Sequence, residues 1–243
     1  MIPESHPRYK SLITREKLAQ YTKTGIVSLE GLTAHGRGEA FDYLLGEETT
    51  ESALRAEKIA AALLLSANHP VISVNGNTAA LAAKEIAQLQ LASKARVEVN
   101  LFHRTDERVQ AISGLLKEHG ITLVEGTVSR YIPLDHDRGL CHFDGMHSAD
   151  VVLVPLEDGD RAQALIDLGK KVIAIDLNPL SRTSKVATVP VIDEVTRALA
   201  NIARFCTELD QDEITGLTRE IHGTGFIRDA LEYIRERLLN VLD

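Results

Sequence analysis

The sequence predicts an α/β protein: a Rossmann-like, mostly parallel sheet with helices on both faces, plus an N-terminal helical extension. Three observations lead there. Between residues 70 and 205, short apolar runs of strand length alternate with helical patterns, as βαβ units do. The runs at 150–155 and 172–176 are apolar without alternation, as strands covered on both faces are. The first 67 residues carry helical patterns only, so they form a wing or cap on the sheet. The 243 residues are read as a single α/β domain with a helical N-terminal part (1–67), a Rossmann-like core (68–205) and a helical C-terminal tail (206–243).

The elements follow in order. Pro7 to Tyr21 is a helix, with Leu12, Ile13, Leu18 and Tyr21 on its apolar side. Residues 22–35 are a connection, and Gly38 to Leu45 is a short helix after the polar turn His35-Gly36-Arg37. Thr49 or Thr50 caps a third helix that runs to about Ala67. Pro70 to Asn75 is a strand, followed by an alanine-rich helix to about Ala92. Arg96 to Leu101 is a strand, Asp106 to His119 a helix, and Ile121 to Glu125 a short strand. Residues 126–147 are irregular. Asp150 to Pro155 is a strand, Gly159 to Leu168 a helix, and Val172 to Asp176 a strand that leads into a polar loop. Ala187 to Ile192 is a further strand and Glu194 to Phe205 a helix. An acidic link, Glu208 to Glu213, precedes a last helix from Ile227 to Leu242, whose apolar stripe packs on the sheet or on another subunit.

Composition bounds the function. Hydrophobic residues are 44% and charged residues 26%, which is ordinary for a globular protein. The net charge of −8 and the lack of a lysine-rich run argue against nucleic-acid or anionic-membrane partners. A small anionic ligand needs only a local cluster of donors. Cys141 and Cys206 lie outside any metal-ligand spacing and give no disulfide framework, which fits a cytoplasmic setting. The N-terminus has no signal-peptide core, and no run approaches the ~18 apolar residues of a membrane span.

Five stretches carry polar chemistry, four of them at carboxyl ends of predicted strands, where open α/β sheets bind ligands. The loop 176–185 sets Asp176 before Asn178, Ser181, Arg182, Thr183, Ser184 and Lys185. A carboxylate suits ribose hydroxyls, and hydroxyls with cations suit phosphates; the plainer alternative is a solvated loop with a turn Asp. Gly36-Arg37-Gly38, at a helix start, offers an anion site or a glycine turn with a solvated arginine. Asn75-Gly76-Asn77-Thr78 can bind phosphate or carboxylate through backbone N–H groups, unless Asn77 is only an N-cap. It lacks both the P-loop lysine and the dinucleotide fingerprint, which disfavours a nicotinamide dehydrogenase. Arg104, after the next strand, is an anion ligand or a solvent-facing cation. Glu157, Asp158 and Asp160 hold Mg²⁺ or cap a helix. No nucleophile-and-base pair is evident. The site reads as a binder of phosphorylated, nucleotide-like ligands that works by positioning and charge.

The runs IPESHPRYKSLITREKL, GLTAHGRGEAFDYLLGE, PVISVNGNTAALAAKE, VEVNLFHRT, SADVVLVPLEDGDR and VIAIDLNPLSRTSKVATV resemble the archaeal 4-phosphopantoate–beta-alanine ligases, or phosphopantothenate synthetases. The likeness runs from Ile2 to about Arg197; the tail after Phe205 matches poorly. It implies a Rossmann-like fold, a homodimer, and synthesis of 4′-phosphopantothenate from 4-phosphopantoate, beta-alanine and ATP, with AMP and diphosphate released, on the route to coenzyme A. The family's ATP contacts fall on Arg15, Arg37, Asp176, Leu177, Asn178, Arg182 and Thr183, and near Glu194 and Val195. The family more commonly has Asn-Val at that last pair, so a backbone contact fits Glu194 better than a side-chain one. Arg37 and Arg182 are the catalytic candidates, and Mg²⁺ is expected with ATP, its protein ligands unknown. By elimination, Asn75, Asn77, Thr78 and Arg104 are candidates for the phosphopantoate end. The rival reading is a non-catalytic nucleotide- or coenzyme-A-sensing module on the same fold.

Overall fold

The computed structural model describes residues 2–240. Its centre is a five-stranded parallel sheet of β1 (Pro70–Val74), β2 (Arg96–Val99), β5 (Val151–Pro155), β6 (Lys171–Ile175) and β7 (Val189–Val191). The order is β2-β1-β5-β6-β7, and every pair is parallel. The strands are apolar on both sides because both faces are covered. One face packs under α1 (Tyr9–Lys23), α3 (Glu51–Ser66), α4 (Gly76–Ser93), α5 (Asp106–Glu118) and α8 (Val195–Glu208). The other packs under α6 (Gly159–Asp167), with Ile132, Cys141 and Met146 from the stretch before β5. Among the described residues no helix is long and apolar enough to cross a membrane.

Several elements depart from the sequence reading. Residues 22–35 are not all connection: α2 spans Leu29–Leu45, capped by the Ser28 side chain at one end and by left-handed Gly46 at the other. Its interior glycines, at about 1 kcal/mol each against alanine, disguised it. Ile121–Glu125 forms no strand; it makes a single parallel bridge, Leu123 to Val97, and Gln90 holds Thr122 from both sides. The stretch 126–147 contains an antiparallel pair, β3 (Val128–Arg130) and β4 (Leu140–His142), then a turn whose N–H groups at His142 and Met146 donate to buried Glu98. The polar loop after β6 contains a short helix, α7 (Arg182–Val186), capped by Ser181. The acidic link opens α9 (Gln211–Arg219), where Asp210 and Glu213 form a capping box. The last helix, α10 (Gly223–Asn240), starts four residues early, and Leu242 lies outside the described residues.

The tail has a clear place. Ala230 and Ile234 of α10 pack with Leu45, Leu177 and Ile192, and Arg237 donates to the Leu44 carbonyl. This ties the end of α2 to the loop after β6. The wing is not peripheral either, since α3 is apolar and buried along most of its length. Lys17 of α1 donates to the Leu81 carbonyl beside a kink at Ala82 in α4.

A buried polar network joins these layers. Arg197 of α8 binds Asp193 (2.9 Å) and Asp42 of α2 (2.5 Å). Thr49 donates to the other Asp193 oxygen at 2.6 Å. Glu57 of α3 has no exposed surface; burial, with Asp193 beside it, pushes its carboxyl up to about 9. It is therefore protonated at neutral pH and serves Asp193 as a donor. In the unfolded chain the same carboxyl ionises near its ordinary value of about 4.3. Between those values the folded state holds a proton that the unfolded state has released, so this group's contribution to stability falls as pH rises. Glu57→Gln keeps the shape and cannot ionise. The Tm difference, variant minus wild type, should grow more positive from pH 6 to pH 9, by about 2–4 °C per unit. A pH-independent difference by thermal melting would show that Glu57 is not held protonated.

Candidate functional site

In the order β2-β1-β5-β6-β7 the chain leaves β1 for one side of the sheet and later returns to β5 on the other. A crevice opens where two such strand ends part, at their carboxyl side. Asn75 spans that point. Its side-chain N–H₂ donates to the carbonyls of Pro155 (3.1 Å) and Leu156 (3.0 Å), while its oxygen caps α4 by accepting the Thr78 N–H (3.0 Å). Leu156 is held in the left-handed region at φ +53°. That conformation is strained for a branched side chain and marks the strand end as a constrained position.

A cavity of about 380 Å³ lies over these ends, with α2 as its roof. The roof sits close because glycines face the floor. A Cβ on Gly31 would lie 2.3 Å from the Asn77 side chain, whose nitrogen donates to the Gly31 carbonyl at 2.7 Å. The floor is equally tight: a Cβ on Gly76 would lie 2.0 Å from the Ile26 carbonyl oxygen.

Of the thirteen residues assigned from sequence to ATP or phosphopantoate, Arg37, Asn75, Asn77, Asp176, Leu177, Asn178, Glu194 and Val195 line this cavity, as do Gly38, Gly76, Glu157 and Ser181 from the polar stretches. Asp176 accepts the Asn178 N–H (3.0 Å); burial raises its carboxyl, against a hydrogen bond from Ser181 and the positive charge of Arg37. Glu194 caps α8 with its own carboxylate, which accepts from the N–H groups of Thr196 and Arg197, and burial raises it. The other five of the thirteen do not line the cavity. Arg15 pairs with Glu39 at 2.8 Å, and Tyr43 donates to the same carboxylate. Arg182 is 73% exposed and pairs with Asp160 at 2.7 Å. Thr183 is buried and donates to the Glu157 carbonyl at 2.7 Å. Thr78 is buried against Asn75 and Pro155. Arg104 lies in a separate groove of about 180 Å³ with Lys117 and His142.

Contributors without a role in the sequence reading include His35, Phe102, Arg138 and Arg108. His35 lies on the underside of α2, and Phe102 follows β2. Arg138 stacks over the Phe102 ring at 4.9 Å and pairs with Glu157 and, at 2.9 Å, with Asp158. Arg108 donates to the carbonyls of Gly25 (3.0 Å) and Ile26 (3.3 Å) while facing the cavity. Helical numbering from Leu29 is the signal that finds His35, because it puts Gly31, His35 and Gly38 on one stripe. Arg138 has no sequence signal, since it arrives through the irregular stretch.

The three acidic residues after β5 do not make a magnesium cage. Glu157 pairs with Arg161 and Arg138, Asp158 caps α6 and pairs with Arg138, and Asp160 pairs with Arg182. Among the described residues no cluster of three metal-ligating side chains exists. The cysteines offer no nucleophile: burial pushes Cys141 up to about 11 and Cys206 up to about 12, so both are thiols at neutral pH. The arrangement is equipped to bind and orient polar, anionic ligands across one crevice. Gly76→Ala should destabilise the protein by about 1–3 kcal/mol, because backbone must move to admit the methyl group. Chemical denaturation measures it, and a change below ~0.5 kcal/mol would contradict the tight floor.

The family model described as Phosphopantothenate/pantothenate synthetase matches residues 52–237. A 4-phosphopantoate–beta-alanine ligase from Methanosarcina mazei is 52% identical over 241 residues, covering 98% of this chain and 95% of the relative. Ligases of the same name from Thermococcus kodakarensis and Thermococcus onnurineus are 45% and 46% identical over 248 residues, each covering 100% of this chain and 95% of the relative. A parallel α/β sheet with a crevice at its switch point and these full-length likenesses agree: the chain belongs to the phosphopantothenate/pantothenate synthetase family.

Proposed function

We propose that this chain joins 4-phosphopantoate to beta-alanine at the expense of ATP, releasing AMP and diphosphate. The product is 4′-phosphopantothenate, on the route to coenzyme A. The observation that carries the reading is one continuous cavity along the strand ends, in a chain so closely similar to three ligases of that name.

A carboxylate is a poor electrophile, so the pantoate carboxylate first attacks the α-phosphate of ATP. Diphosphate leaves and an acyl adenylate forms. The amine of beta-alanine then attacks the acyl carbon and AMP leaves. Bringing two polyanions together needs positive charge aimed at the reacting phosphate. Asp176 serves the ribose hydroxyls, Leu177, Asn178, Glu194 and Val195 wall the nucleotide, and Arg37 meets phosphate. Arg182 is held by an exposed pair worth about 0–1 kcal/mol, so it turns to phosphate at little cost. Thr183, its hydroxyl engaged, offers its backbone N–H. Arg15 reaches phosphate by exchanging Glu39 for it. Asn75 and Asn77, both on the cavity, belong to the phosphopantoate end on this reading, with Thr78 supporting Asn75 from behind; Arg104, in its separate groove, does not. Magnesium enters as part of the nucleotide substrate. The homodimer belongs to the same reading, and exposed Leu231, Leu238 and Leu239 on α10 offer it apolar surface; light scattering tests it.

Incubation with ATP, 4-phosphopantoate and beta-alanine should yield AMP and diphosphate in equal amounts. ADP and phosphate would sink the adenylate route, and ATP binding without turnover would favour the sensing module. Arg37→Ala and Arg182→Ala should each lower kcat/KM by about 2–4 kcal/mol, or roughly 30- to 1000-fold. An unchanged kcat/KM removes that arginine from the site.

A further inference from the structure

Helix α2 turns Glu30, Gly31, Ala34, His35, Arg37 and Gly38 toward the cavity. Between Gly31 and Gly38 on that face stands His35, whose imidazole is the side chain that ordinarily titrates nearest neutral pH. Its place along the helix is fixed by its neighbours. Gly31 sits against Asn77, after β1, and a Cβ on Gly38 would lie 3.9 Å from Leu177, after β6. Strand β5 runs between those two, and its end gives Leu156 and Glu157 to the cavity. His35 therefore stands over the middle of the crevice, between the β1 end and the β6 end. On the ligase reading, on which this inference rests, that is where the acyl carbon meets the amine.

We propose that His35 is the general base of the second half-reaction, taking the proton from the beta-alanine nitrogen as it attacks the acyl adenylate. Beta-alanine arrives as an ammonium, and loss of one proton to solvent exposes its lone pair. As the C–N bond forms, the nitrogen sheds a second proton. The C–O bond to the α-phosphate breaks, and its electron pair leaves on AMP. Imidazole accepts that second proton and returns it to solvent. Burial lowers the His35 pKa, which keeps the ring neutral and able to accept. Arg15 of α1 acts in the same direction, while Glu39 and Asp42, on α2 itself, oppose it. The other charged or titratable groups on the cavity are Glu30 and Arg37 of α2, His103, Arg108, Arg138, Glu157, Asp176 and Glu194. His35 itself lines the cavity, which puts its ring within reach of a bound substrate.

The test separates the half-reactions in His35→Gln and His35→Ala. Exchange of labelled diphosphate into ATP, with 4-phosphopantoate present, reports adenylation; phosphopantothenate formation reports attack by the amine. The ratio of amide formation to exchange should fall about 100-fold or more. Hydroxylamine, whose nitrogen sheds its proton to water unaided once bonded to carbon, should still give hydroxamate at a near wild-type ratio to exchange. Added imidazole should restore part of the amide formation in His35→Ala. An unchanged ratio, or hydroxamate and amide falling together, overturns the role of His35 and leaves the ligase reading intact. Absence of exchange and of AMP in the unaltered protein overturns the ligase reading itself.

Discussion

The carboxyl edge of the sheet depends on one arginine. Arg197, in the first turn of α8, holds Asp193 just after β7 and Asp42 in the last turn of α2. With α2 in place the strand ends have a roof; without it they form an open edge. The helix would be a poor one alone, with glycine at 31, 36 and 38 lowering its intrinsic stability. Tertiary contacts make up the difference: Arg15 on Glu39, Arg197 on Asp42 in the last turn, and the α10 cluster at its end. Asp193 is buried, so removing Arg197 would leave an unpaired interior charge, a loss on the order of 3–5 kcal/mol. Protonated Glu57 and Thr49 complete the shell of donors around that carboxylate.

The parts of the fold legible in the sequence are those where local pattern and tertiary role agree. Strands β1, β5 and β6 are apolar because both faces are covered, and α3, α4 and α8 carry apolar periods because each buries one side. Reading failed where they disagree. Helix α2 looks like a turn because glycine is needed for close approach at Gly31, a requirement invisible without Asn77 opposite it. The turn after β4 is held by Glu98, a buried carboxylate on β2, far back in the sequence. In the candidate site, positions immediately after strands were legible by rule, hence Asn75, Asn77, Asp176 and Asn178. Arg138 was not, since it reaches the cavity from a segment with no fixed relation to a strand end, and Arg108, in the first turn of α5, is turned to the cavity by carbonyls of Gly25 and Ile26 that the sequence does not place beside it.

Charge is distributed unevenly within the cavity. Arg138 and Arg108 are committed to carboxylates and carbonyls, so they hold walls together while lending positive potential. Arg182 is held by an exposed partner that releases it easily. Fixed cations set the field and a loose one can follow an anionic ligand, which would suit the proposed reaction, in which charge moves from triphosphate to diphosphate.

The order in which these partners are made has its own consequence. Asp42 and Arg197 are 155 residues apart in the chain, and Arg237, which holds the end of α2, comes later still. At roughly 5–20 residues per second on the ribosome, α2 waits about 8–30 s for its arginine. During that interval its glycines leave it with little local stability, and Arg15 on Glu39 and Asn77 on Gly31 are the partners it has. The crevice is thus the last part of this molecule to exist, closing only when the newest helices reach back to one of the oldest.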